Sequence, residues 1–227
     1  MPGGTRRGRT TANRPKDVVP EPHLLSIVCV DVVALSFRRD DRRVVVGVHR
    51  RTSEPFTGRL VLPGVVVTSG ERLRDAAGRA LGKLGLGTPA ALGQLRTFDE
   101  PARDPRGPSL SIAMWAVFDD TTARAAEHAE WFALGEVPEL AFDHNGIVGT
   151  ARELLAGALW RDTAFTRALT GPVFSATDAV AITEQLDGRP PHRANLNRDL
   201  AKNPDLTEAG TAPASGGRPP KLWKWTS

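Results

Sequence analysis

Cysteine is almost absent: Cys29 stands alone in 227 residues. A disulfide scaffold needs pairs of cysteines and a thiolate zinc cluster needs several, so both are excluded. Long apolar runs are also missing. The best candidate, Leu24 to Phe37, falls short of the roughly 18 residues a transmembrane helix needs, and Asp31 interrupts it. No apolar stretch precedes Leu24, so no secretory signal and no membrane partner are expected, and the cytoplasm is the expected compartment. A regular strand–helix–strand repeat is lacking, which argues against a simple parallel α/β fold. Net charge is small, at +4. That balance permits an acidic partner without requiring one.

The charge that is present is unevenly placed. Residues 1–24 carry Arg6, Arg7, Arg9, Arg14 and Lys16 against Asp17 and Glu21. Residues 189–227 carry Arg189, Arg193, Arg198, Lys202, Arg218, Lys221 and Lys224 against Asp199, Asp205 and Glu208. Both ends are basic and the body is not. Residues 1–22 are rich in Gly, Pro, Thr and Arg and have few large apolar side chains, the composition of a disordered basic arm.

From Leu24 the pattern changes. Leu24 to Phe37 and Val44 to Val48 are β-rich runs separated by the charged turn Arg38–Arg43, which predicts a hairpin buried on both strands. Leu60 to Val67 reads as a third strand broken at Pro63-Gly64. Leu73, Ala76, Ala77, Ala80, Leu81 and Leu84 recur at helical spacing, and Gly85 and Gly87 close that helix. Leu92–Phe98 and Ser109–Phe118 read as strands around the loop Asp99–Pro108. Gly146–Trp160 is a second amphipathic helix, starting near Asp143 or Asn145. The body is therefore α+β or a mixed-sheet α/β sandwich.

A second unit is expected after Trp160. Ser175 is a good N-cap for a helix carrying Ala179, Ile182 and Leu186, which Asp187-Gly188 ends. Arg193–Lys202 follows as another helix with Leu196 and Leu200 inward. Lys221–Trp225 alternates like a strand, with Trp223 and Trp225 expected in a core. Helix, turn, helix and a Gly-rich basic wing outline a winged helix-turn-helix.

Leu62 to Leu86 (LPGVVVTSGERLRDAAGRALGKLGL) resembles the Nudix box, G-x5-E-x7-R-E-U-x-E-E-x-G-U with U aliphatic. In that family the box is a loop–helix–loop whose glutamates hold Mg²⁺ over a pyrophosphate. Hard divalent cations require such anionic oxygen ligands. Here Glu71 and Arg79 keep their places, but Val65, Ala80, Lys83 and Leu84 replace the first glycine and three glutamates, and the stretch is one residue short. Lysine and leucine cannot coordinate Mg²⁺. Neither catalytic residues nor a metal or other cofactor are therefore expected. Glu71 is expected to cap the helix and Asp75 to be solvated.

Further strings extend the resemblance: RDPRG at Arg103–Gly107, EWFAL at Glu130–Leu134, PELAFDH at Pro138–His144, the NLNRDL of Asn195–Leu200 and the GRPPKLW of Gly217–Trp223. Together they resemble the Nudix-related transcriptional regulators of the NrtR type, over nearly all of residues 25–225. The resemblance implies a Nudix-like α/β/α sandwich at residues 23–160 that does not hydrolyse its ligand, followed by a winged helix at 161–227. It also implies repression of NAD-synthesis genes on double-stranded operator DNA, with ADP-ribose as the releasing effector.

Arg103 and Arg106 are candidates for phosphate contacts to a nucleotide-sugar effector, since guanidinium binds phosphate bidentately. Arg51 faces the same cleft in the family, and Glu71 and Arg79 join the effector candidates through the box. The plainer reading of Arg103 and Arg106 is local pairing with Asp104 that shapes the loop. His49 and Cys29 read as structural. Arg193, Asn195, Asn197 and Arg198 lie where a recognition helix meets base edges. Arg218, Lys221 and Lys224 are wing candidates for phosphates. One winged helix makes few base contacts, so a homodimer is expected. Two rivals remain: a Nudix-type hydrolase of a nucleoside diphosphate derivative, and a sensor whose winged helix docks protein.

Overall fold

The computed structural model describes residues 26–212 and 219–226; the expected basic arm and Arg218 lie outside them. Strand β1 (Ile27–Arg38) is the spine. It is buried from Cys29 to Phe37, which a continuous apolar run allows only when both faces are covered. It forms the expected hairpin with β2 (Arg43–Arg50), Phe37 opposite Val44. Its other edge runs parallel to β6 (Ser109–Phe118), which pairs antiparallel with β5 (Ala91–Phe98). The break at Pro63-Gly64 redirects the chain between neighbours. Strand β3 (Leu60–Val61) pairs with β2, and β4 (Gly64–Val66) pairs with β1. Strand β7 (Glu130–Ala133) completes the mixed sheet against β2.

Period-two alternation along β1 divides two cores. Val30, Val32 and Ala34 face helix α1 (Leu73–Gly82), where Ala76, Ala77 and Ala80 allow close approach. Val33, Leu35 and Phe37 face the opposite layer. There helix α3 (His144–Ala158) contributes Ile147, Val148, Ala151 and Leu155. The result is the expected mixed-sheet α/β/α sandwich. Among the elements not expected from the sequence are helix α2 (Asp120–Arg124) and helix α4 (Thr163–Thr170), each capped by an aspartate, Asp119 and Asp162.

The winged part has its own core. Helices α5 (Ala176–Asp187) and α6 (Arg193–Lys202) pack with a three-stranded sheet in the order β8 (Val173–Ser175), β10 (Lys221–Trp225), β9 (Leu206–Thr211). Ser175 caps α5 in a capping box with Asp178. Trp223 and Trp225 are buried with Phe174, Ala179, Leu196 and Leu200, as expected of core residues.

The two parts share packing across Trp160. Phe165 and Leu169 of α4 and Ile182 and Leu186 of α5 belong to the sandwich core. Trp160 packs against both cores and donates its Nε1–H to Thr183 Oγ1 at 3.1 Å. Gln185 accepts from Val44 N at 2.9 Å and donates to Arg42 O at 2.8 Å. Asp178 sits 3.5 Å and 3.6 Å from the guanidinium groups of Arg39 and Arg42. The β1–β2 turn is thus clasped by α5.

Phe165 is fully buried, its ring edge-on to Trp115 with centroids 5.2 Å apart. Phe165→Ala is expected to cost ~3–5 kcal/mol. Denaturant unfolding should show a lower midpoint at unchanged slope; a loss under ~1 kcal/mol would mean that α4 does not brace the sheet.

Candidate functional site

Beside the amino-terminal half of β1 a cavity of about 200 Å³ opens between β1, β2, β4, the end of α1, the loop at residues 103–106 and residues 142–144 at the start of α3. Its floor is a buried polar network. Arg103, 3% exposed, holds Asp143 with Nε and Nη2 at 3.0 and 2.8 Å, and the same Nη2 reaches Asp31 at 3.2 Å. Asp31 also accepts from Ser111 Oγ at 2.6 Å. His144 Nδ1 accepts from the backbone N–H of Leu62 at 2.9 Å, which leaves the ring proton of the neutral form on Nε2, 3.7 Å from Asp31. Burial pushes the His144 pKa down, against the pull of Asp31 and Asp143.

The sequence accommodates this floor with a glycine. Gly64 lies opposite Asp31 in the β1–β4 register. A Cβ at Gly64 would land on the Asp31 carboxylate. That explains the glycine at this position of β4.

The RDPRG loop divides its two arginines. Arg103 is taken up by the floor. Arg106 grips Asp104 through Nε and Nη2 at 2.9 and 2.6 Å, and this contact holds the Asp104 pKa below the usual carboxylate range. Arg106 is still about half exposed and lines the cavity. Arg51 also lines it, anchored by the carbonyls of Pro55 and Glu54 and set 5.1 Å over the Phe142 ring.

Glu71 and Arg79 are not among the residues around the cavity. Glu71 does not cap α1, whose N-cap residue, Arg72, makes no side-chain cap bond. It staples the box loop instead. It accepts from Thr68 N and Oγ1 at 2.9 and 3.0 Å, and Arg79 grips it through Nε and Nη2 at 2.6 and 2.8 Å. The Arg79 contact, then the Thr68 N–H, bring the Glu71 pKa down to about 2.

Sequence reasoning missed three site residues: Asp31, His144 and Lys83. A carboxylate inside a strand buried on both faces demands a partner, and that was the available signal for Asp31. Lys83, just past α1, lines the cavity and its ammonium donates to Gly64 O. His49 is another wall residue; its Nδ1 lies 3.1 Å from Arg50 O, and its buried Nε2 has no partner among the described residues. The cavity therefore presents Arg51, Lys83 and Arg106, while Asp31 and Asp104 are already paired. Such a lining suits an anion with several oxygens.

The second candidate surface is α6. Leu196 and Leu200 point inward, whereas Arg193, Asn195 and Arg198 are exposed. His192 accepts from Asn195 N at the start of the helix. Asn197 is half-buried and lines a groove with Arg193, Pro220 and Lys221 between the helix and the wing. Lys221 is paired with Glu208 at 2.6 Å; Lys224 is exposed.

No family model matches the chain. An ADP-ribose pyrophosphatase of Methanocaldococcus jannaschii is 34% identical over 102 residues, 44% of this chain and 60% of that relative's length. Over most of its length the chain is similar to NrtR of Shewanella oneidensis, solved in complex with a 27mer DNA. That likeness has a TM-score of 0.71 at 26% identity and covers 88% of this chain and 93% of that one. The NUDIX domain of the same protein, solved with ADP ribose, matches 60% of this chain and 94% of its own, with a TM-score of 0.51 at 26% identity. Among the described residues no helix is long and apolar enough to cross a membrane.

Two outcomes test the floor and the staple. Arg103→Met strands two carboxylates and is expected to cost ~3–5 kcal/mol in urea unfolding; a loss below ~1 kcal/mol would show that the floor does not depend on it. Because Glu71 titrates lower folded than unfolded, its contribution is full above the ordinary glutamate value of about 4.3 and is lost as pH falls toward 2. Wild type should therefore exceed Glu71→Gln in stability near neutrality, and the two should converge in acid. A pH-independent difference would refute the pairing.

Proposed function

We propose that this chain, NrtR-like along its sandwich and its winged helix, is a DNA-binding transcriptional repressor controlled by a nucleotide-sugar effector such as ADP-ribose. The observation that carries the reading is the joint match of both parts to a regulator solved on DNA. Residues 23–160 would sense the metabolite and residues 161–227 would read the operator, although their packing is continuous across Trp160. Arg51 and Arg106 would meet the effector's phosphates, and Arg103 would hold the cavity floor under them. Glu71 and Arg79 would shape the box loop beside them.

On α6, positions 195 and 198 share an exposed face that lies only partly opposite Leu196 and Leu200. Arginine can pair with guanine O6 and N7, and asparagine with adenine N6 and N7. Arg193, Asn197 and Lys221 would meet the backbone along the groove beside the wing, with Arg218 nearby in sequence. A homodimer would place two such helices on a near-palindromic site. Control would be linkage: an effector favouring the DNA-incompetent dimer geometry lowers operator affinity by its differential affinity.

The pyrophosphatase relative favours one other reading, hydrolysis of a nucleoside diphosphate derivative. The donor chemistry speaks against it. Among the described residues no three His, Cys, Asp or Glu side chains are placed to hold a metal ion, and Glu71 is closed by Arg79. A divalent metal does not fit these residues. We infer that ADP-ribose is not hydrolysed; Mg²⁺-dependent turnover near ~1 s⁻¹ that Glu71→Gln abolishes would overturn this.

DNA reading is tested on fragments enriched from a random double-stranded library by wild-type binding. Arg198→Ala and Asn195→Ala should each lose ~1–3 kcal/mol on the enriched site. Binding to unselected DNA should fall with Arg198→Ala and barely change with Asn195→Ala. Failure to enrich any sequence, or unaltered binding in both variants, would mean that α6 does not read DNA. ADP-ribose should release the enriched fragment; no effect of ADP-ribose would remove it as the effector.

A further inference from the structure

The sandwich carries a box whose divalent-cation ligands are gone; Asp75 stays exposed on the box helix outside the cavity, and the carboxylates of the cavity and of the box loop are each closed by an arginine. Asp31 faces Arg103, Asp104 is gripped by Arg106, and Glu71 is gripped by Arg79. None is free to bridge a metal to a phosphate. The position of the first glutamate in the box's final pair holds Lys83. Its solvent-accessible side chain lines the cavity with its ammonium against the Gly64 carbonyl. Arg51 lines the same cavity. Withdrawal of the ammonium from water and, after it, the Arg51 charge push the Lys83 pKa down against the pull of Asp31. His49 Nε2, buried and unpartnered, also belongs to this wall.

We propose that Lys83 is a built-in substitute for the divalent cation: with Arg51 it binds the diphosphate of the effector directly, so that binding needs no metal. A metal in such a fold joins two anionic sets, the protein carboxylates and the diphosphate. Removing the carboxylates and tethering an ammonium to the chain leaves one anionic set and a permanent cation. The diphosphate is held by charge-assisted hydrogen bonds. No Lewis-acid centre polarises its bridging oxygen or activates water. Binding is retained and the means of cleavage is lost in the same substitution. This inference rests on the proposed reading of the cavity as a nucleotide-sugar site, and it adds a residue and a metal-independence that the reading does not require.

The test is calorimetric titration of the full chain with inorganic pyrophosphate and, separately, with ADP-ribose, each in EDTA and in excess Mg²⁺. Wild type is expected to bind both probes in EDTA and no more tightly in Mg²⁺. Lys83→Met should weaken both at least tenfold, and Lys83→Arg should stay within about threefold of wild type. Arg74→Met removes a charge from the same helix outside the cavity and should match wild type. Binding that requires Mg²⁺, or equal affinity in Lys83→Met and wild type, would overturn the proposal. If ADP-ribose binds in EDTA and Lys83→Met binds it equally well, Lys83 loses its role while the effector reading stands. If pyrophosphate binds through Lys83 and ADP-ribose does not bind, the effector reading fails and the metal substitution stands. If neither probe binds, both fail.

Discussion

The rest of the structure depends on one constraint: a carboxylate, Asp31, sits in the middle of a strand buried on both faces. A charge there is tolerable only when it is paired and fully hydrogen-bonded. Arg103 supplies the pairing and is held in turn by Asp143, at the start of the third helix. Ser111 donates to Asp31 as well, and the His144 ring stands 3.7 Å away. Three distant segments are thereby fixed around one point: the central strand, the RDPRG loop and the LAFDH segment. The glycine opposite Asp31 is a consequence of the same carboxylate, because no side chain fits beside it. The cavity above inherits its position from this floor.

Much of that frame is legible in the residues themselves. The unbroken apolar run of the first strand announces burial on both faces, and the charged turn after it announces the hairpin. The small-residue spacing of the box helix announces its close packing on the sheet. Other elements are silent for physical reasons. The strand at Leu206–Thr211 buries only Leu206, so it shows no alternation and exists because β10 pairs with it. The helix at Thr163–Thr170 is short, and its Phe165 and Leu169 carry too little pattern alone. Its signal was the cap, Asp162, which binds Phe165 N.

The site was legible by motif but not by role. RDPRG marks a loop that lines the cavity, yet sequence alone does not reveal that one arginine goes down into the floor while the other stays at the rim. That division depends on Asp31 and Asp143, which lie far from the loop along the chain. Glu71 reads as a helix cap because it precedes an apolar periodic stretch. Folded, its carboxylate reaches back to Thr68 and forward to Arg79 instead. Lys83 reads as a defect in a motif until the cavity places it beside Arg51.

The seam around Trp160 has an optical consequence. The chain has five tryptophans and no tyrosine, so its near-ultraviolet emission comes from indole alone. Trp115 and Trp131 belong to the sandwich and Trp223 to the wing core. Trp160 lies against both cores, and Trp225 hydrogen-bonds Thr170 of α4 across the same seam at 2.9 Å. Any shift of the winged helix against the sandwich changes the surroundings of these two indoles. The fold thus carries its own unlabelled fluorophores at the joint.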